Sequence, residues 1–282
     1  MGSVAKPLSL SFACLLAACS SPEEMGRDVG VERPASATPA DESALDRLER
    51  RTARGAKPSN FSDDAKDGEA AREFDYSWPA AVSAIPPLVT QLSRDRDEAL
   101  AQQKTEWREA LAEFGSSDCV SCVNRGYETA WEVVADLPRF LSLSATRWVY
   151  SGGAHGNIYY STLVWDRQAD AAIEPVDLFK SSGALSAAVR DRYCQALDRQ
   201  RAEKRGDFSG DAGIFSECPA LDELTVLVGS SNGETFDRIG LIAAPYVAGA
   251  YAEGTYEVTL PVDAAVLGAV SPEYRESFSA RE

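Results

Sequence analysis

The chain has 282 residues, with 28 lysine and arginine residues against 44 aspartate and glutamate residues, and its formal net charge is −16. A surface of that sign repels nucleic acid and anionic lipid, so it argues against a nucleic-acid-binding protein and favours basic partners. Beyond the N-terminus, no segment approaches the roughly 18 to 20 uninterrupted apolar residues that a transmembrane helix requires.

The N-terminus predicts export and lipid anchoring. A basic start at Lys6 precedes a short apolar run and the sequence Leu16-Ala17-Ala18-Cys19, which has the form of a bacterial lipobox. Residues 1–18 are therefore predicted to be a cleaved signal peptide, and Cys19 is predicted to be the lipidated N-terminus. The alternative is an ordinary secretory signal with a chance cysteine. Because Ser20 resembles the default sorting residue, we expect a cell-envelope protein attached through its lipid to the periplasmic side of the outer membrane.

Residues 19–72 are predicted to form a disordered tether. They contain Pro22, Pro34, Pro39 and Pro58 among serines, alanines and mixed charges, with almost no aromatic residue to anchor a core. About 210 residues then remain, which is enough for one large domain or two small ones.

Hydrophobic periodicity predicts an α+β fold after the tether. A strand is predicted at Phe74–Trp78. A long amphipathic helix follows it, with Ser83 as its cap ahead of Pro86 and Pro87 and with Gly115 as its stop. A second helix is predicted from about Gly183 to Arg205. The remaining strands are expected at residues 139–150, 158–165, 224–228, 236–243 and 255–260. We expect two subdomains, each of antiparallel strands packed with a long helix.

The loop Gly152–Asn157 is the motif that carries a resemblance. Three segments share it: Tyr150–Asn157, the turn Asp177-Leu178-Phe179, and Ala244–Gly254 followed by a strand. In order and spacing they resemble the two-part extracytoplasmic domain that the anti-sigma factor RsiV shares with the peptidoglycan deacetylase PdaC. The resemblance implies a PdaC-type domain at residues 73–146 and an RsiV-type domain at residues 147–282.

The resemblance implies binding more than catalysis. A deacetylase of the PdaC kind needs a metal held by one aspartate and two histidines, and this chain has one histidine, His155. We therefore predict no metal and no cofactor. Since RsiV-type domains bind lysozyme, the expected partner is a basic protein such as lysozyme, or peptidoglycan fragments. The alternatives are an envelope glycan-modifying enzyme that uses His155 and nearby carboxylates, and a structural envelope spacer.

The hairpin around the loop supplies the candidate binding residues. His155 is open to two interpretations, a general base or metal ligand and a residue that fixes its own turn by hydrogen bonding. The nearby aromatic residues are likewise open to sugar stacking or to core packing. No catalytic residue is predicted, since no Gly-x-Ser-x-Gly motif occurs. The predicted ligand-binding residues are Trp148, Tyr150, Gly152, Gly153, His155, Asn157 and Tyr159.

Four cysteines follow the tether. Cys119 and Cys122 are compatible with a redox site, half of a zinc site or a local disulfide, and an oxidising compartment favours the disulfide. Cys194 and Cys218 are the remaining pair, and they are predicted to tie the second long helix to the loop that follows it.

Overall fold

The structure is a computed structural model that describes residues 55–206 and 213–281. Cys19, the signal peptide and residues 19–54 of the predicted tether lie outside the described residues. In this part of the chain the strands are β1 (Ser59–Ser62), β2 (Ala65–Asp67), β3 (Ala70–Trp78), β4 (Arg125–Asp136), β5 (Phe140–Tyr150), β6 (Asn157–Asp166), β7 (Ala171–Ile173), β8 (Thr225–Gly229), β9 (Arg238–Ala243) and β10 (Tyr256–Pro261). The helices are α1 (Ala80–Ser83), α2 (Pro86–Phe114), α3 (Val120–Val123), α4 (Ser182–Arg205) and α5 (Ala264–Ala269).

The strands form two sheets. The larger has the order β1-β3-β4-β5-β6-β7, with β2 also paired to β3, and the smaller has the order β10-β9-β8. All pairs are antiparallel except β3 with β4, which are parallel. Helix α2 lies between these two strands in sequence. It returns the chain to the end of the sheet at which β3 begins, as a parallel pair requires. The α+β prediction is confirmed, and the expectation of purely antiparallel strands is wrong for this one pair.

Helix α2 covers one face of the larger sheet. Pro86 and Pro87 occupy its first turn, where a missing N–H costs no helical hydrogen bond, and Gly115 follows its last residue. Its buried residues Leu88 and Leu92 pack in one core with residues of the sheet, namely Phe74, Tyr76, Trp78, Leu141, Leu143, Leu163 and Trp165. The long helix and its glycine stop are as predicted, but the predicted cap is wrong. Ser83 ends the separate helix α1, and Ile85 caps α2 in the extended conformation that a residue before proline favours.

Helix α4 packs in a second core with the smaller sheet. Leu185, Val189, Tyr193 and Leu197 recur at helical spacing and are all buried. The Ser181 hydroxyl accepts a hydrogen bond from the Ala184 amide at 3.0 Å and caps the first turn. The predicted Cys194–Cys218 disulfide is confirmed, with a sulfur–sulfur distance of 2.02 Å, and it links the middle of α4 to the segment that leads into β8.

Three features differ from the sequence predictions. Strand β4 was not predicted, because its residues carry no clean alternation and both of its edges are paired within the sheet. Strands β1 and β2 lie inside residues 19–72, the segment assigned to the tether. Their short sequences are mostly polar, but Phe61 of β1 packs edge-on against Phe74. The domain boundary placed between residues 146 and 147 falls inside β5, and the larger sheet continues across it.

Helices long and apolar enough to span a bilayer do not occur among residues 55–206 and 213–281.

Candidate functional site

The loop between β5 and β6 has a backbone that favours glycine. Gly152 and Gly153 have φ angles of +101° and +92°, a region that residues with a Cβ rarely adopt. A Cβ at Gly152 would also lie 3.1 Å from the carbonyl oxygen of Ser121. The loop therefore has a defined course that side chains at these positions would disturb.

Trp148 packs against the loop. An added Cβ would lie 2.3 Å from the indole at Gly126 of β4 and 2.4 Å from it at Gly156 of the loop. No real Cβ approaches another atom so closely, so the indole fits against both positions only because they are glycine. Trp148 is thus a packing element of the loop, and its predicted role in ligand contact gains no support from these contacts.

The short turn α3 packs beside the same loop. The Tyr150 hydroxyl donates to the Gly153 carbonyl at 2.7 Å and lies 3.3 Å from the Ser121 carbonyl. The Arg125 guanidinium binds the carbonyl oxygens of Cys122, Val123 and Asn124 through one nitrogen, at 2.8 to 3.0 Å. The predicted local disulfide is confirmed: Cys119 and Cys122 are bonded at 2.04 Å across this turn. The disulfide therefore closes a turn that contacts the loop.

His155 is exposed and binds its own turn. Its Nδ1 atom lies 2.9 Å from the Gly156 carbonyl oxygen, and since a carbonyl only accepts, Nδ1 carries the proton in this contact. The imidazole stacks on the ring of Tyr251, with centroids 3.8 Å apart and planes 19° apart. The Tyr251 hydroxyl donates to the same carbonyl at 2.8 Å. The hydrogen bond required by the turn-fixing interpretation of His155 is thus present. Tyr251 joins this loop to a second one through its stacked ring and its hydroxyl.

That second loop, Ala244–Gly254, is held by the last two turns of α4. Arg201 donates to the Ala248 carbonyl at 3.0 Å, and Lys204 donates to the carbonyls of Glu253 and Thr255 at 2.7 and 2.6 Å. Arg205 forms an ion pair of 2.9 Å with the Glu253 carboxylate. Burial raises the pKa of Glu253, but hydrogen bonds from Tyr256 and Arg205 outweigh burial and lower it overall. Glu253 is therefore an ionised structural group of the loop.

Tyr246 projects from the second loop. Its φ of +72° is rare for a bulky residue, and its side chain is 52% exposed. Its ring lies 5.6 Å from that of Tyr251, centroid to centroid. His155, Tyr251 and Tyr246 therefore form a row of rings, which we call the aromatic surface. Strain at an exposed side chain is a mark of functional positions.

The aromatic residues of the β5–β6 hairpin divide between two faces of the larger sheet. The Tyr160 hydroxyl lies 2.9 Å from the Thr255 hydroxyl, on the face that carries the second loop. Because side chains alternate along a strand, Tyr159 and Asn157 lie on the opposite face, where the Arg147 guanidinium lies 5.5 Å from the Tyr159 ring centre. Asn157 and Tyr159 are thus not part of the aromatic surface. Sequence reasoning missed Tyr246 and Tyr251 as site residues, although both lie in a segment that carried the resemblance.

The third segment of the resemblance lies in the core. Leu178 is fully buried, Phe179 is 4% exposed, and both belong to the core cluster of α4 and the smaller sheet. Phe179 also forms an isolated β-bridge with Val270. Two of the three segments therefore meet at the surface, and the third supports the fold.

The phenols of Tyr150 and Tyr251 remain protonated at neutral pH. Burial raises the pKa of Tyr150, and it raises the pKa of Tyr251 together with a smaller contribution from Tyr246. They therefore act as hydrogen-bond donors. Within the described ranges, no three His, Cys, Asp or Glu side chains are grouped in a way that would hold a metal ion.

Comparisons with known proteins give a likeness of fold. No family model and no curated protein matches the chain. A solved DUF3298 family protein from Pseudomonas aeruginosa PAO1 aligns over 82% of this chain and 100% of its own, with 13% identity and a TM-score of 0.52. A DUF3298 family member from Bacteroides fragilis NCTC 9343 aligns over 74% of this chain and 92% of its own, with 12% identity and a TM-score of 0.41. The chain is therefore similar in fold to a solved DUF3298 family protein, which fits a DUF3298-type domain.

Proposed function

We propose that this chain is a lipid-anchored cell-envelope binding module whose recognition site is the aromatic surface. The observation that carries the proposal is Tyr246, which holds a half-exposed ring in a strained backbone conformation beside Tyr251 and His155. His155 Nδ1 and the Tyr251 hydroxyl both bind the Gly156 carbonyl, which holds these two rings in place. A rigid row of rings offers large contact area at low conformational cost, which suits binding.

The favoured ligand is a basic protein, with lysozyme as the first to test. The net charge of −16 steers cationic proteins toward the surface, and the RsiV resemblance names lysozyme as a relative's ligand. A second candidate is a peptidoglycan fragment, which the stacked rings of His155 and Tyr251 favour because sugar rings pack on aromatic faces.

Binding is tested by titrating the purified protein with lysozyme and, separately, with N-acetylglucosamine oligomers. Tyr246→Ala and His155→Ala are expected to weaken binding, and lysozyme binding should fall as salt rises. Tyr159→Ala removes the other exposed tyrosine, on the opposite face of the sheet. If Tyr159→Ala abolishes binding and Tyr246→Ala does not, the aromatic surface is the wrong site. Release of acetate or cleavage of glycan strands, lost in His155→Ala, would favour the glycan-modifying enzyme instead.

Anchoring is tested at Cys19. Mass spectrometry of the mature N-terminus should show a lipid-modified Cys19, and Cys19→Ala should leave the protein unanchored. An unmodified Ser20 at the N-terminus, or cleavage at another site, would contradict the anchor.

A further inference from the structure

One edge of the larger sheet is only partly paired. Strand β7 pairs with residues Val164–Asp166 of β6 and no further. Along residues 157–163, β6 is bonded to β5 on one side, and no other described strand pairs with it on the other. Unpaired strand edges present free backbone donors and acceptors, and they are templates for an added strand.

The direction of the backbone groups along this edge follows from one hydrogen bond. The Thr225 hydroxyl donates to the Tyr160 carbonyl oxygen at 3.4 Å, so the backbone of Tyr160 faces away from β5. An added strand that pairs with this carbonyl would replace the Thr225 hydroxyl. In an antiparallel strand this direction alternates, and Thr162 therefore also directs its N–H and C=O toward the open edge.

A cavity of about 400 Å³ lies along this edge. Tyr160, Ser161 and Thr162 line it from β6, whereas Thr225 and Val226 line it from β8, the outer strand of the smaller sheet. Its volume falls within the range of about 300 to 1,000 Å³ that is usual for ligand sites. We call this space the edge groove.

The charge of the edge groove is negative. Glu174 and Asp222 line it, and none of the described lining residues is a lysine or an arginine. Burial raises the pKa of Glu174, and the nearby Asp177 raises it further, so a cation placed there would relieve an unfavourable charge. Ser182, in the first turn of α4, also lines the groove. The partial positive charge of that helix end is smaller than the two carboxylate charges, so the groove remains negative.

We infer that the edge groove accepts an extended segment of a basic protein as an added strand on β6, with a lysine or arginine side chain directed to Glu174 and Asp222. Backbone pairing would supply affinity, and the acidic side chains would select for a basic segment. The inference rests on the proposed function in that it takes the partner to be a protein, but it concerns a surface other than the aromatic one.

The test uses a capped eight-residue peptide of alternating lysine and threonine, with binding measured by fluorescence anisotropy on the full chain. The double variant Glu174→Gln/Asp222→Asn is expected to bind it at least about tenfold more weakly. Glu109→Gln/Glu113→Gln removes the same charge from exposed positions of α2, and it should bind within about twofold of the unchanged protein. Equal losses in both double variants would show that net charge alone attracts the peptide, and this would overturn the inference.

Strand addition is tested with two N-methylated peptides, one methylated at the lysine amides and the other at the threonine amides. These amides point to opposite edges of a strand, so at least one methylated peptide should lose about tenfold in affinity. If both bind as well as the parent peptide, or if the parent does not bind, the inference is wrong. Lysozyme binding that depends on Tyr246 would then still support the proposed function. Peptide binding in the edge groove without lysozyme binding would support the inference and contradict lysozyme as the ligand of the aromatic surface.

Discussion

The turn Asp177–Phe179 and the loops around His155 and Tyr251 share one sequence resemblance, but they serve different parts of the molecule. The turn places Leu178 and Phe179 in the core, where they are almost entirely buried. The loops place His155 and Tyr246 in solvent and hold them through backbone contacts, close approach to Trp148 and the cations of α4. Substitutions in the turn should therefore change stability without changing binding. Substitutions at the loop tips should change binding and leave stability nearly unchanged.

Leu178→Ala should have the largest effect on stability. Removing a fully buried leucine side chain leaves a cavity and costs about 2 to 5 kcal/mol in the free energy of unfolding. Urea denaturation measures this loss. At a temperature where the variant remains folded, its affinity for lysozyme should equal that of the unchanged protein, and a loss of affinity there would show that the turn also shapes the site.

Removal of the Cys194–Cys218 disulfide should rank second. The bond closes a loop with a sequence separation of 24, and in the chain-entropy model its loss costs roughly 3 kcal/mol. Cys194→Ala/Cys218→Ala tests this by thermal denaturation. Cys119→Ala/Cys122→Ala is the comparison, because its separation of 3 predicts a smaller loss of roughly 2 kcal/mol. A non-reducing peptide map that joins Cys194 to Cys119 or Cys122 would contradict the pairing.

Gly156→Ala should have an intermediate effect on both stability and binding. Its methyl group would displace the Trp148 indole, and forced repacking of this kind costs about 1 to 3 kcal/mol. Gly268→Ala in α5 is the matched control, because a Cβ there meets no atom within 4 Å, and alanine should stabilise the helix by about 0.5 to 1 kcal/mol. Similar unfolding free energies for the two variants would contradict the close approach of Trp148.

Tyr246→Gly should have the smallest effect on stability and a large effect on binding. Glycine adopts a positive φ without strain, so the free energy of unfolding should rise or fall by no more than about 1 kcal/mol. Lysozyme binding should be lost with the ring. A variant that is destabilised by several kcal/mol would show that Tyr246 belongs to the fold, and a variant that binds normally would remove it from the site.

The sequence predicted the parts of this fold in which local pattern and burial agree. Helix α2 has apolar spacing, prolines at its start and a glycine after its end, and α4 has one apolar face. Strand β4 was missed because its residues carry no clean alternation of buried and exposed positions. The disulfides followed from counting cysteines. The aromatic surface could not be assembled from sequence, since the approach of His155 to Tyr251 depends on how two separate loops are held.

The parallel pairing of β3 with β4 has a consequence for the order of folding. Arg72 pairs with Arg125, so this contact closes a long segment of chain that includes all of α2, whereas β5 and β6 are joined by a short loop. Contacts between distant residues carry a larger entropy of loop closure and form more slowly. We therefore expect the β5–β6 hairpin to gain protection from hydrogen exchange before β3 does. The loop that bears His155 would then be shaped early, and the sheet beneath it would be completed around an existing hairpin.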